Sequence, residues 1–177
     1  MKKITLPLKN EDIATLKAGD SVLLSGCILT GRDCAHKRIF EILEKGENLP
    51  FNLVGETIYY AGPCPAPVGK ACGSCGPTTS ARMDFFTPTL LDLGLKAMIG
   101  KGERNEQVIS SIKKNRAIYF AAIGGAGALY GNAVKKSEIV AFPDLLSEAV
   151  YRFEIYDFPC IVAIDADGKS VYIKSKP

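Results

Sequence analysis

A mixed α/β fold is predicted by three features of the sequence. β-prone apolar runs at 21–30, 57–61, 96–100 and 117–123 alternate with segments of helical periodicity at 34–44 and 103–114. The final stretch, 150–174, reads as strands with no helix between them. No internal repeat, low-complexity tract or long polar linker interrupts the chain, so residues 1–177 read as one domain.

Each element has a local reason. Ile4 to Leu8 alternates apolar and polar residues until Pro7 limits the strand. Asn10-Glu11-Asp12 can cap a short helix through Leu16, stopped by Gly19. Ser21 to Thr30 (SVLLSGCILT) is a buried strand, and Gly31-Arg32-Asp33 then turns the chain. Asp33 is the expected N-cap of a helix from Cys34 to Glu44, whose apolar side is Ala35, Ile39, Ile42 and Leu43. After the strand Thr57–Ala61, prolines and glycines dominate up to Ser80, and so long a loop is usually functional or disordered. The helical pattern resumes at Ser80 (SARMDFF), with Pro88 near the start of a second short helix. Lys96 to Gly100 is a strand, Glu103 to Lys114 an amphipathic helix on Val108, Ile109 and Ile112, and Ala117 to Ile123 another strand. A glycine-rich turn and a small-residue helix follow, then the β-prone Ile139-Val140-Ala141. Asp165-Ala166-Asp167-Gly168 marks a hairpin turn in the β-rich tail.

Composition narrows the function. The 177 residues are 47% hydrophobic and 23% charged, ordinary for a folded domain able to bury a core without staples. A net charge of +3 is too small to indicate nucleic-acid binding. No run approaches the ~18 apolar residues of a membrane span, and Met1-Lys2-Lys3-Ile4 opens no signal peptide, so a cytoplasmic protein is expected. His36 is the only histidine, which excludes an imidazole metal cage or a histidine pair within this chain.

Three groups of residues could carry chemistry. Cys72-Gly73-Ser74-Cys75 is a CxxC with Cys64 eight residues before it, but no second pair completes a zinc site and the spacing is not that of a ferredoxin. Metal ligation, a redox pair and simple packing all stay open for these cysteines. Gly124-Gly125-Ala126-Gly127-Ala128-Leu129-Tyr130-Gly131 follows a strand and opens a helix like a dinucleotide fingerprint, yet Tyr130 replaces the third glycine, which favours close backbone packing. The third group is cationic: Arg32, Arg82 and Lys101 each sit on a turn at the start of a helix. Backbone N–H groups already favour anions there, two arginines suit bidentate carboxylate binding, and the set fits a small dianion. Pairing of Arg32 with Asp33 or Asp84, and a solvated Lys101, is the plain alternative.

The segments TGRDCAHKR (30–38), GPTTSARMD (76–84), GKG (100–102), GGAGAL (124–129) and FPCIVAIDADGKS (158–170) resemble the β subunit of class I fumarate hydratase and of L-tartrate dehydratase. The resemblance covers nearly the whole chain in order. It implies a swivelling β/β/α domain and a hydro-lyase interconverting fumarate and L-malate, or dehydrating a related hydroxy-dicarboxylate. It also implies a catalytic unit shared with an α subunit, in an α2β2 assembly. That partner is expected to carry the [4Fe-4S] cluster, with no metal on this chain. Carried over by position, Arg32, Arg82 and Lys101 would bind the C4-dicarboxylate and Thr78 would exchange the proton beside a carboxylate, with Asp33, His36 and Thr79 in support. The rival functions are a small cysteine-based redox or metal-binding module and a partner domain that has lost its site.

Overall fold

The computed structural model describes residues 1–172. Its elements are β1 (Lys2–Thr5), α1 (Asn10–Thr15), β2 (Ser21–Thr30), α2 (Asp33–Glu44), β3 (Thr57–Tyr59), a 3-10 turn (Ser80–Met83), α3 (Thr87–Asp92) and β4 (Ala97–Gly100). There follow α4 (Glu106–Asn115), β5 (Ile118–Ala121), α5 (Gly127–Ala133), β6 (Val134–Ala141), a second 3-10 segment (Pro143–Glu148) and β7 (Val150–Ile164). The fold is mixed α/β, as the alternation of patterns implies.

Strands β2, β3, β4 and β5 run parallel to one another in that order. The antiparallel β7 pairs with β5 and also along β2, from Ser21↔Ile161 to Leu29↔Arg152. The pairings therefore close a circuit β2–β3–β4–β5–β7–β2, with β1 on the first half of β2 and β6 on β7. Both faces of β3, β4 and β5 are buried, which is why they read as continuous apolar runs, whereas β2 and β7 leave residues such as Cys27 and Tyr156 exposed. Side chains alternate between two cores. Tyr59, Ala97, Ile99, Ile118, Phe120, Phe153 and Phe158 fill one. Ile58, Tyr60, Met98 and Tyr119 face the other, covered by Ala35 and Ile39 of α2, Leu90 and Leu91 of α3, and Val108 and Ile112 of α4.

Several boundaries differ from expectation, each for a physical reason. Asp33 is not the N-cap of α2. Arg32 holds that position with extended backbone, and the Asp33 carboxylate pairs with two guanidinium groups. α4 begins at Glu106, three residues later than expected, because Arg104 is drawn into the core and Asn105 caps the helix by accepting from Val108 N at 2.9 Å. The segment from Ser80 winds as a 3-10 turn. The first strand ends at Thr5, although Leu6 N still donates to Ser25 O at 2.8 Å. The expected β tail is one long strand, β7, and the hairpin turn forms where Gly168 N donates to Asp165 O at 2.9 Å. Residues 173 and 174 of that tail lie outside the described residues. No described helix is long and apolar enough to cross a membrane.

Candidate functional site

The carboxyl ends of the parallel strands gather the expected site residues on one rim, where open parallel sheets place their ligands. Arg32 follows β2, Lys101 follows β4, and Gly124 follows β5. Thr78 reaches the rim beyond β3, where its amide donates to Tyr60 O at 2.6 Å. Thr79 forms an isolated parallel bridge with Lys101, and Ser80 N donates to Lys101 O at 2.9 Å. This places the threonine pair beside the lysine.

The two arginines meet across one carboxylate. Arg82 Nε lies 2.8 Å from Asp33 Oδ1, and Arg32 Nε lies 3.2 Å from Asp33 Oδ2. Glu148 Oε1 sits 3.4 Å from Arg32 Nε, while its other oxygen accepts from Cys34 N at 2.7 Å. Burial pushes the Asp33 carboxyl up, but its own backbone N–H and the two guanidinium groups outweigh that and hold it below the usual carboxylate range. Both arginines spend Nε on these bonds. Among the described residues their Nη groups make no hydrogen bond, so the paired N–H edges that suit a carboxylate are open. Lys101 has no carboxylate partner among the described residues, and its side chain runs past Gly124, where an added Cβ would lie 3.8 Å from Nζ.

Asp84 is not a partner of Arg32. It anchors the turn from below: Arg104 Nε donates to Asp84 Oδ1 at 2.6 Å and Asn105 N to Asp84 Oδ2 at 2.8 Å. Arg104 is buried over the rings of Tyr60 and Tyr119, and its Nη2 donates to Thr87 Oγ1 at 2.7 Å. Ser80 Oγ and Tyr119 OH lie 2.8 Å apart. The turn that presents Arg82 is thus fixed by a buried ion pair and a buried hydroxyl pair. Sequence reasoning missed Arg104 and Glu148. An arginine four residues after a strand gives no hint of burial, and Glu148 lies more than a hundred residues from its partner.

His36 is fully enclosed, so it does not face a ligand. Its Nδ1 bonds Arg32 O at 2.9 Å, and its ring packs against Tyr60 and Phe86. The carbonyl can only accept, so Nδ1 carries the proton and Nε2 is left without a partner. Burial lowers its pKa to about 4. His36 props the backbone of Arg32 from inside.

The glycine-rich stretch serves close approach of backbones. Cys75 N donates to Gly127 O at 2.9 Å, and a Cβ on Gly131 would collide with Gly73 O. Tyr130, in place of a third glycine, is buried and accepts from Ile123 N at 2.6 Å through its hydroxyl. All six cysteines are free; Cys64 is exposed, while Cys72 and Cys75 are buried. Among the described residues no group of three or more His, Cys, Asp or Glu side chains is arranged to hold a metal ion.

Residues 1–175 match the family described as Fumarase C-terminus. A protein of Methanocaldococcus jannaschii provisionally named L(+)-tartrate dehydratase subunit beta is 42% identical over 171 residues, covering 93% of this chain and 88% of that one. Fumarate hydratase 2 of Leishmania major is 36% identical over 167 residues, 93% of this chain but 29% of the enzyme. The aerobic class I fumarate hydratase of Salmonella typhimurium is 40% identical over 151 residues, 84% of this chain and 26% of the enzyme. The chain thus spans less than a third of these fumarate hydratases and most of the tartrate dehydratase subunit.

Proposed function

This chain belongs to the Fumarase C-terminus family, and from that premise we propose that it is the β subunit of a hydro-lyase interconverting fumarate and L-malate. The observation that carries the reading is the pair of guanidinium groups tied through Nε to Asp33, with no hydrogen bond on their Nη groups among the described residues. Two such edges and the Lys101 ammonium match a doubly charged C4 acid better than a monoanion.

The proposed work of this chain is binding and proton transfer. Arg32 and Arg82 clasp carboxylate oxygens, and Asp33 keeps the two guanidinium groups close without mutual repulsion. Lys101 stabilises the extra negative charge that builds on the carboxylate as the adjacent C–H proton leaves. Thr78 exchanges that proton. An unperturbed threonine hydroxyl is a poor base, so it must act where cations and backbone N–H groups stabilise its alkoxide and water is excluded. Thr79, on the same bridge, holds Thr78 in register with Lys101.

The opposite half of the site is proposed to lie on an α subunit in an α2β2 assembly, in the cytoplasm. A [4Fe-4S] cluster held by that partner would supply the Lewis-acid activation of the substrate hydroxyl. The length matched in the Methanocaldococcus relative favours one second reading, the β subunit of an L-tartrate dehydratase. The two substrates share their carboxylates and differ by one hydroxyl.

The test is anaerobic co-expression with the α partner, followed by fumarate absorbance and tartrate dehydration assays on wild type and Arg82→Ala. With the proposed α subunit closed over the site, loss of a clasped guanidinium costs about 2–5 kcal/mol of transition-state stabilisation, roughly a 30-fold to several-thousand-fold fall in kcat/KM. Full activity in Arg82→Ala overturns the assignment of the site.

A further inference from the structure

We propose that Cys72 and Cys75 are a redox-active pair that closes reversibly to a disulfide by exchange with small disulfides admitted along the groove beside Cys72. This inference lies outside the substrate rim and does not depend on the hydro-lyase reading.

The loop that carries these residues folds back on itself. Cys64 N donates to Ser74 O at 2.9 Å and Gly73 N to Cys64 O at 3.3 Å. The resulting turn buries Cys72 and Cys75, three residues apart, in the same core cluster, with neither of them bridged. Packing alone would be met by Ala or Val at either position and does not call for two cysteines at CxxC spacing.

The two thiols differ in surroundings, as a working pair requires. Cys75 is fully buried and pinned at both backbone groups: its N–H donates to Gly127 O at 2.9 Å and its carbonyl accepts from Tyr59 OH at 2.6 Å. Cys72 lines an apolar groove of about 600 Å³, together with Cys64, Pro65, Ile139 and Tyr151. Such a volume is in the range that admits small molecules. Hydrogen bonding from Cys75 favours the Cys72 thiolate, the form that attacks a disulfide, while that same bond and burial push the Cys75 thiol up.

The exchange balances in two steps. The Cys72 thiolate attacks one sulfur of R–S–S–R; that bond breaks, a mixed disulfide forms on Cys72 and RS⁻ departs. Cys75 gives its proton to the departed thiolate, and its sulfur attacks Cys72 Sγ. The mixed disulfide breaks and the second RS⁻ leaves. Two protein thiols are oxidised and one small disulfide is reduced to two thiols. With Cys75 anchored, closure draws in Cys72 and the exposed arm 64–70, which reshapes the groove.

The experiment equilibrates the full chain in anaerobic glutathione buffers of rising oxidised fraction, then quenches in acid, alkylates under denaturing conditions and maps the peptides. Cys72 and Cys75 should lose alkylation together, appear as one intramolecular bridge and recover with dithiothreitol, while Cys160 stays reduced. Cys75→Ser should trap glutathione on Cys72, and Cys64→Ser should leave the bridge intact. Retention of both thiols across the series overturns the proposal. So does a bridge to Cys64, or a lasting mixed disulfide in its place. The wild-type map decides even where a variant fails to fold.

Discussion

Acid should destabilise this protein in a pH window set by His36. The imidazole is enclosed, and burial, reinforced by the nearby Arg104 charge, takes its pKa from 6.5 to about 4, against the opposing bond to Arg32 O. As pH falls through 6.5 the unfolded chain takes up a proton that the folded chain refuses until about pH 4. The stabilisation is therefore complete above pH 6.5, is lost progressively between 6.5 and 4, and changes no further below. A drop of this size, at about 1.4 kcal/mol per unit, amounts to about 3 kcal/mol. Urea unfolding of wild type and His36→Gln at several pH values between 7 and 4 measures it. The wild-type stability should fall by about 3 kcal/mol more than that of the variant across the window. The Asp33 carboxyl is held below its usual value of 3.8 and titrates beneath this range, so it does not mimic the effect. Equal slopes for the two proteins, or a wild type that gains stability in acid, would refute the argument.

Other perturbations separate scaffold from site. Arg104→Ala leaves the Asp84 carboxylate buried without its cation, and should cost about 3–5 kcal/mol in urea unfolding; a loss under 1 kcal/mol would show that the pair is not the anchor of the turn. Gly131→Ala drives a Cβ into the Gly73 carbonyl, a backbone atom with little room to yield, and should cost about 1–3 kcal/mol with a lower Tm. Arg82→Ala, with its side chain 54% exposed, should change the stability of the free chain by under about 0.5 kcal/mol while removing activity from the complex. A large stability loss there would mean that Arg82 is structural.

The strand-to-helix alternation was legible because β3, β4 and β5 are buried on both faces, the apolar residues of β2 are buried along most of its length, and each covering helix is buried on one side. Apolar runs such as 21–30 and 117–123 therefore stood out, as did the helical stripe of Val108 and Ile112. What stayed hidden was set by long-range electrostatics. Asp33 has the residue type and position of an N-cap, but the guanidinium groups of its neighbour Arg32 and of the distant Arg82 compete for its carboxylate and win. Asp84 stands two residues from Arg82 and could have served either arginine of the rim; only the fold reveals Arg104 beneath it. Only the end of β6, Ile139–Ala141, stood out, because the strand is mostly exposed and its charged residues Lys135, Lys136 and Glu138 mask the strand signal. Of the site, the turns and the cations could be read in order along the chain. The pairing of Arg32 with Asp33 and a structural role for His36 were open alternatives; the second arginine, Arg82, on the same carboxylate could not be read.

The circuit of strands also sets a schedule for biosynthesis. Ser21 emerges from the ribosome early, yet its partner Ile161 follows 140 residues later. Until β7 is made, β2 and β5 each lack a neighbour along one edge, and those edges offer unpaired N–H and C=O groups to any other nascent chain. Contacts this remote in sequence slow folding. Truncation before Val150 would strand both edges at once, so shortened products should be cleared or aggregate rather than persist as half-formed domains.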